Sequence, residues 1–147
     1  MNWAIHNRIF NQHMSASSDD VLHCACSNGH TETALDLIDL DADIDAENDY
    51  GETPLHYACL NGHTDIALEL IDLGADIEAK EKDDQTPLYV AYDHGHEEIA
   101  LALIARGADI FSKDRFGRTF DHFPPRILPR VYERLHVSTV RAHLIHQ

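Results

Sequence analysis

The chain repeats itself every 33 residues, and that period restricts the possible folds more than any other property of the sequence. TPLHYACLNGH at 53–63 returns as TPLYVAYDHGH at 86–96 and is preceded by DVLHCACSNGH at 20–30. Thr119 opens a shorter echo, TFDHFPP. Gly29, Gly62 and Gly95 share one slot, and His30, His63 and His96 share the next. Farther on, ALDLIDLDADID, ALELIDLGADIE and ALALIARGADIF start at Ala34, Ala67 and Ala100. The register holds without a gap. It divides the 147 residues into a lead at 1–16, units at 17–49, 50–82 and 83–115, and a remainder at 116–147. Units of this size cannot bury an apolar face alone, so they must stack.

Local chemistry predicts the form of one unit. Thr53 is a good N-cap, and Pro54 suits the first helical position, where its missing N–H costs nothing. Leu55, Ala58 and Cys59 lie three and four apart and make one apolar, partly small face of a short inner helix. Asn61-Gly62 ends it, because glycine accepts the left-handed conformation after a helix. Thr64 or Asp65 is the expected cap of a second helix, with Ile66, Ala67, Leu70 and Ile71 at helical spacing. Leu68 and Leu101 are expected to matter for stacking in these outer helices. Gly74 stops the second helix, and Ala75-Asp76-Ile77 leads into an extended turn toward the next unit.

These motifs (TPLH, the Gly-His pair and GAD-I at a spacing of 33) resemble the ankyrin repeat over about residues 17–123. The resemblance implies an all-α solenoid in which each unit is a helix, a turn, a helix and a projecting hairpin-like finger. It implies that the scaffold histidines, His23, His56 and His122 with His30, His63 and His96, make turn-stabilising hydrogen bonds. It also implies a partner protein, bound through the concave inner-helix face and the finger tips. Carried onto this chain, the variable surface slots are Ser27 and Asn28 in the first unit, and Asp49, Tyr50, Glu52, Leu60 and Asn61 in the second. The third supplies Lys82, Asp83, Gln85, Asp93 and His94, and the last supplies Arg115, Phe116 and Arg118. Tyr50 and Phe116 are the aromatic anchor candidates, whereas Tyr57 is assigned to the core.

Departures from the pattern carry information of their own. Asp41 stands where the other units have Gly74 and Gly107, and Asp84 stands where Gly51 and Gly117 do. Asp is among the few other residues that visit the left-handed region. Tyr92 replaces the small Cys26 and Cys59, so its ring is expected to pack against the next unit. There Pro124-Pro125 must cut the inner helix short. From Pro129 a helix to about residue 145 is expected, with Val131, Leu135, Val140 and Leu144 near one face and Arg126, Arg130 and Arg134 along another. Trp3, Ile5, Ile9 and Phe10 suggest a helix over the first unit. Both ends read as caps, since an exposed stacking face is a liability.

Composition excludes several classes. No run of about 18 apolar residues exists, so no transmembrane helix is expected. MNWAIHNRIF lacks the apolar core of a secretory signal, and a cytoplasmic location is expected. Cys26 and Cys59 occupy equivalent slots about 8–10 Å apart, beyond the ~7 Å reach of a disulfide. Of the twelve histidines, six fall in scaffold slots. The His23-Cys24-x-Cys26 run with His30 superficially resembles zinc ligands, but neighbouring positions on one helix point apart. No base or oxyanion arrangement is tied by spacing to Cys24 or Cys26. The chain is therefore not expected to be an enzyme or to hold a metal or cofactor.

Charge is uneven. Residues 1–110 hold 23 acidic and 4 basic side chains, and residues 111–147 hold 3 acidic and 7 basic. Such an acidic body repels phosphate backbones, so nucleic acid is not the expected partner. The acid suits a basic protein surface. Asp49, Glu52, Asp83 and Asp93 are expected to form one continuous acidic strip, and the arginines near the end either bind an anionic group or balance the body's charge. The expected function is recognition of another protein by a monomer. Whether it serves as an adaptor, as an inhibitor or self-protection protein occluding a partner enzyme's active site, or as a secreted effector of an intracellular microbe stays open.

Overall fold

A hydroxyl decides where each inner helix begins, and a glycine or its neighbour decides where it ends. The computed structural model describes residues 17–119, and in them six helices follow one another. They are α1 (Ser18–Asn28), α2 (Thr31–Asp39), α3 (Pro54–Asn61), α4 (Thr64–Asp72), α5 (Pro87–Asp93) and α6 (Glu97–Ala105). No strand occurs among the described residues. The expected caps at 1–16 and beyond 119, and the segment expected against Tyr92, lie outside them.

Ser17, Thr53 and Thr86 cap the inner helices α1, α3 and α5 by accepting the N–H three residues on. At α1, Asp20 returns the contact by accepting the Ser17 N–H at 3.1 Å. At α3 the return comes from a histidine, because His56 Nδ1 accepts the Thr53 N–H at 3.1 Å. Each such cap stabilises its helix by about 1 kcal/mol. Gly29 and Gly62 then close α1 and α3 in the left-handed region.

The outer helices start differently from the expectation. Their N-caps are His30, His63 and His96, with no side-chain cap bond, and Thr64 and Asp65 lie inside the first turn of α4. There the Asp65 carboxylate still favours the positive end of the helix dipole. The histidine rings serve a longer-range purpose. His63 Nε2 bonds the Ser27 carbonyl at 2.9 Å and His96 Nε2 the Leu60 carbonyl at 3.2 Å, each reaching back one repeat.

Stacking buries the periodic positions. Inner helices α1, α3 and α5 pack in series, outer helices α2, α4 and α6 do the same, and each inner helix packs on the outer helix that follows it. Leu22, Leu55 and Leu88 form one buried row, and Ala34, Ala67 and Ala100 another, where the missing side-chain volume lets the helices approach. Leu70 and Leu103 are fully buried, but Leu68 and Leu101 are only half-buried. Two residues apart on a helix means nearly opposite directions, so Leu70 and Leu103 are the main stacking leucines of α4 and α6, and Leu101 packs only partly against the same core. Tyr57 is also only partly buried. Its hydroxyl donates to Glu52 Oε2 at 3.0 Å and accepts from Asn48 Nδ2 at 2.8 Å, which puts it at the base of a finger.

The left-handed positions behave as their chemistry requires. Asp41 and Asp84 have φ of 67° and 58°, matching the positive φ of the glycines in the equivalent slots.

His56 ties two repeats together and makes stability pH-dependent. Its Nε2–H donates to the Gln85 carbonyl at 3.0 Å while Nδ1 accepts from Thr53, which defines a neutral ring. Burial lowers its pKa below the usual 6.5, against the opposing pull of the Gln85 bond and of Glu81, Glu52 and Glu47. A depressed histidine contributes stability that is present above the unfolded pKa and lost as pH falls below about 6.5. Denaturant midpoints measured between pH 7.5 and 5.5 should therefore fall, by at most about 1.4 kcal/mol per pH unit for one proton. His56→Gln should flatten that slope. Equal slopes for the two proteins would assign the acid sensitivity to other groups.

Candidate functional site

Three loops project between the repeats as fingers, at 46–52, 79–85 and 112–118. Each is closed by the same bonds. Asn48 N–H donates to the Glu52 carbonyl, Glu81 N–H to that of Gln85, and Asp114 N–H to that of Arg118, at 3.1, 3.2 and 2.9 Å. The side chain in that slot then turns inward and accepts two further N–H groups. Asn48 Oδ1 takes those of Tyr50 and Glu52, Glu81 Oε1 those of Asp83 and Gln85, and Asp114 Oδ1 those of Phe116 and Arg118. Neighbouring fingers are joined by backbone bonds, Lys82 N–H to the Tyr50 carbonyl and Arg115 N–H to the Asp83 carbonyl, both at 2.8 Å. The tips thus form one hydrogen-bonded edge, and their side chains are held in fixed order along it.

Of the residues singled out from the sequence, Asn28, Asp49, Tyr50, Asn61, Lys82, Asp93, His94, Arg115, Phe116 and Arg118 are exposed, while Ser27, Glu52, Leu60, Asp83 and Gln85 are half-buried. Along the edge Lys82 lies over the Tyr50 ring at 5.8 Å, and Phe116 sits between Arg115 at 5.9 Å and Arg118 at 5.1 Å. Tyr50 and Phe116 nonetheless keep 61% and 67% of their surface in solvent. Such cation–π contacts are worth about 0.5–1 kcal/mol at an exposed site. They orient the rings without using up their apolar faces. On the inner-helix side, Asn61 Nδ2 bridges the Tyr57 carbonyl and Ser27 Oγ, and Asn28 Nδ2 bonds the Cys24 carbonyl. His94 Nδ1 lies 2.9 Å from the Val90 carbonyl.

Of the four carboxylates expected to make a continuous acidic strip, Asp49 is exposed and the other three are met by other groups. Glu52 Oε2 is occupied by Asn48 and Tyr57. Asp83 pairs with Arg115 at 3.3 Å. Asp93 lies within electrostatic reach of Arg118. Stacking at 33-residue spacing places Lys82, Arg115 and Arg118 among the acids, and a one-dimensional count of charge does not register that interleaving. Glu47, Lys80 and Lys113, all exposed and all in one repeat slot, also border the edge. Their shared position in the period was the signal that could have found them.

The third finger rests on a buried carboxylate. Burial pushes the Asp114 carboxyl upward. Hydrogen bonds from the Arg118 backbone and guanidinium, the Tyr89 hydroxyl and the Phe116 N–H outweigh it and hold the group below the usual carboxylate range. Its ion pair with Arg118 is 2.8 Å long. The buried Tyr89 hydroxyl is pushed up to about 12, first by burial and then by its bond to Asp114.

All three cysteines are free; Cys24 is exposed, while Cys26 and Cys59 are buried. Burial drives the Cys26 thiol up to about 12 and the Cys59 thiol up likewise, which suppresses the thiolate that nucleophilic chemistry needs. His23 does not converge with them on a shared point. Its ring spans the Asp19 and Glu52 carbonyls at 2.8 and 3.0 Å. Among the described residues no group of three metal-ligating side chains converges, and no helix is long and apolar enough to cross a membrane.

A family model for ankyrin repeats in three copies matches the chain at residues 2–81 and again at 22–114. No curated protein matches it at a significant level.

Proposed function

The chain belongs to the ankyrin-repeat family, and from that premise we propose that it binds a partner protein through its finger edge and the adjoining inner helices. Ankyrin repeats generally mediate binding to other proteins and are typically non-enzymatic. The observation that carries the proposal is the pair of exposed rings, Tyr50 and Phe116, fixed on a hydrogen-bonded edge and flanked by charge. Aromatic anchors within a polar, charged border are the usual composition of an interface centre. Away from the fingers the described residues expose Leu40, Leu73 and Phe111 and an Arg106–Asp72 ion pair, but that outer edge has one exposed aromatic where the finger edge has two.

Affinity capture with the intact protein, followed by mass spectrometry, should recover a partner that Tyr50→Ala with Phe116→Ala loses and Leu40→Ser retains. Loss on the Leu40 variant with retention on the finger variant would move the site to the outer edge. For the partner so identified, association should slow as salt rises toward ~0.15 M, where the screening length is ~8 Å. Asp49→Lys should lower the on-rate and Tyr50→Ala should raise the off-rate, both read by surface plasmon resonance. An on-rate indifferent to salt and to Asp49→Lys would remove charge steering from the account. Whether binding blocks the partner or merely tethers it is settled by assaying the partner's own activity in the complex.

A further inference from the structure

The three fingers differ in charge in a regular way. Residues 46–52 hold Glu47, Asp49 and Glu52 with no base. Residues 79–85 hold two bases and three acids, and residues 112–118 hold three bases and one acid. The formal balance therefore runs −3, −1, +2 from the first finger to the third. Because Lys82 bonds to Tyr50 and Arg115 to Asp83 through the backbone, these charges are spread along one continuous edge. Each end also presents one exposed ring, Tyr50 at the acidic end and Phe116 at the basic end.

We infer that the finger edge takes a bipolar segment of a partner protein, with its basic end over the first finger and its acidic end over the third. The inference rests on the protein-binding reading and adds the chemistry of the partner. Complementarity of charge at both ends supplies the argument. A uniformly basic segment meets Lys113, Arg115 and Arg118 at the third finger, and a uniformly acidic one meets Glu47 and Asp49 at the first. Like charges brought together across an interface are strongly disfavoured. Repeats stack at roughly 10 Å, so the outer fingers are about 20 Å apart, which an extended chain covers in about six residues. The occupant is thus a short extended stretch, basic at one end, acidic at the other, with an aromatic or aliphatic side chain near each.

The test uses the full chain and immobilised synthetic octapeptides of three kinds, lysine-rich, glutamate-rich, and bipolar, each with the same two leucines. The bipolar peptide should bind roughly tenfold more tightly than either uniform one. Reversing the first finger (Glu47→Lys with Asp49→Lys) or the third (Lys113→Glu with Arg115→Glu) should remove that advantage. Reversing both should restore it, with the peptide bound end for end. All four positions are exposed, and unchanged melting curves would confirm that the variants fold. If the lysine-rich peptide binds as well as the bipolar one and ignores the third-finger reversal, the inference falls while protein binding stands. If peptides bind indifferently to every reversal, or none binds, the finger edge is not the site and both readings fall. Self-association seen by sedimentation velocity and abolished by either reversal would assign the edge to a second copy. Displacement of the bipolar peptide by a synthetic 120–147 peptide would assign it to the chain's own end. Either result overturns the inference.

Discussion

Leu70→Ala is expected to lower stability by about 2–5 kcal/mol, and Leu103→Ala by a similar amount, whereas Leu68→Ala should cost markedly less. Leu70 and Leu103 have no solvent exposure and belong to the single cluster that runs through all three repeats. Truncation at either place removes buried methyl groups and leaves a cavity that the stacked helices on both sides can only partly close. A stack of this kind gains much of its stability from the interfaces between neighbours, so loss of packing in α4 weakens the joints to both adjacent repeats. Chemical unfolding followed by circular dichroism measures the effect. Equal losses for Leu68 and Leu70 would contradict the orientation of α4.

Gly62→Ala is expected to cost about 2–4 kcal/mol, more than its small volume suggests. Gly62 has φ of 72°, where alanine is strained by about 1–2 kcal/mol. An added Cβ would also fall 2.4 Å from Cε1 of His96. The ring would have to move and would lose its bond to the Leu60 carbonyl, a further loss of roughly 1 kcal/mol. Gly74→Ala is the control, because its φ of 90° is also positive but no atom lies within 4 Å of the added carbon. Gly62→Ala should therefore be the more destabilising of the two. Adding His96→Ala to Gly62→Ala should show non-additivity, since the collision vanishes with the ring. Strict additivity would mean that the ring and the glycine are not coupled.

Much of the architecture was legible because it is written three times. Thr53-Pro54, Gly62 and the Ile66–Ala67–Leu70–Ile71 spacing each specify a local conformation through short-range sterics and hydrogen bonding, and helices formed where those signals stood. The left-handed Asp41 and Asp84 were legible for the same reason. What the sequence did not reveal is of another kind. Thr64 looked like a cap by residue type, yet His63 occupies the cap position and reaches across to Ser27. Tyr57 packs against the core as its hydrophobicity suggested, and its hydroxyl in addition supports a finger through Glu52 and Asn48. In both cases the deciding partner is at the junction between one unit and the next.

The sequence by itself determined the repeat, the helices within it and the positions of the finger residues, since these depend on interactions within a few residues of one another. Tertiary structure alone decided which of those residues are committed to the fold. Stacking brings a finger residue beside the one 32 positions on, so Asp83 meets Arg115 and Lys82 meets Tyr50. Those encounters turned an expected acidic strip into a graded edge. A charge acts on whatever lies within several ångströms of it, and that neighbourhood is set by the stack, which no count along the chain contains.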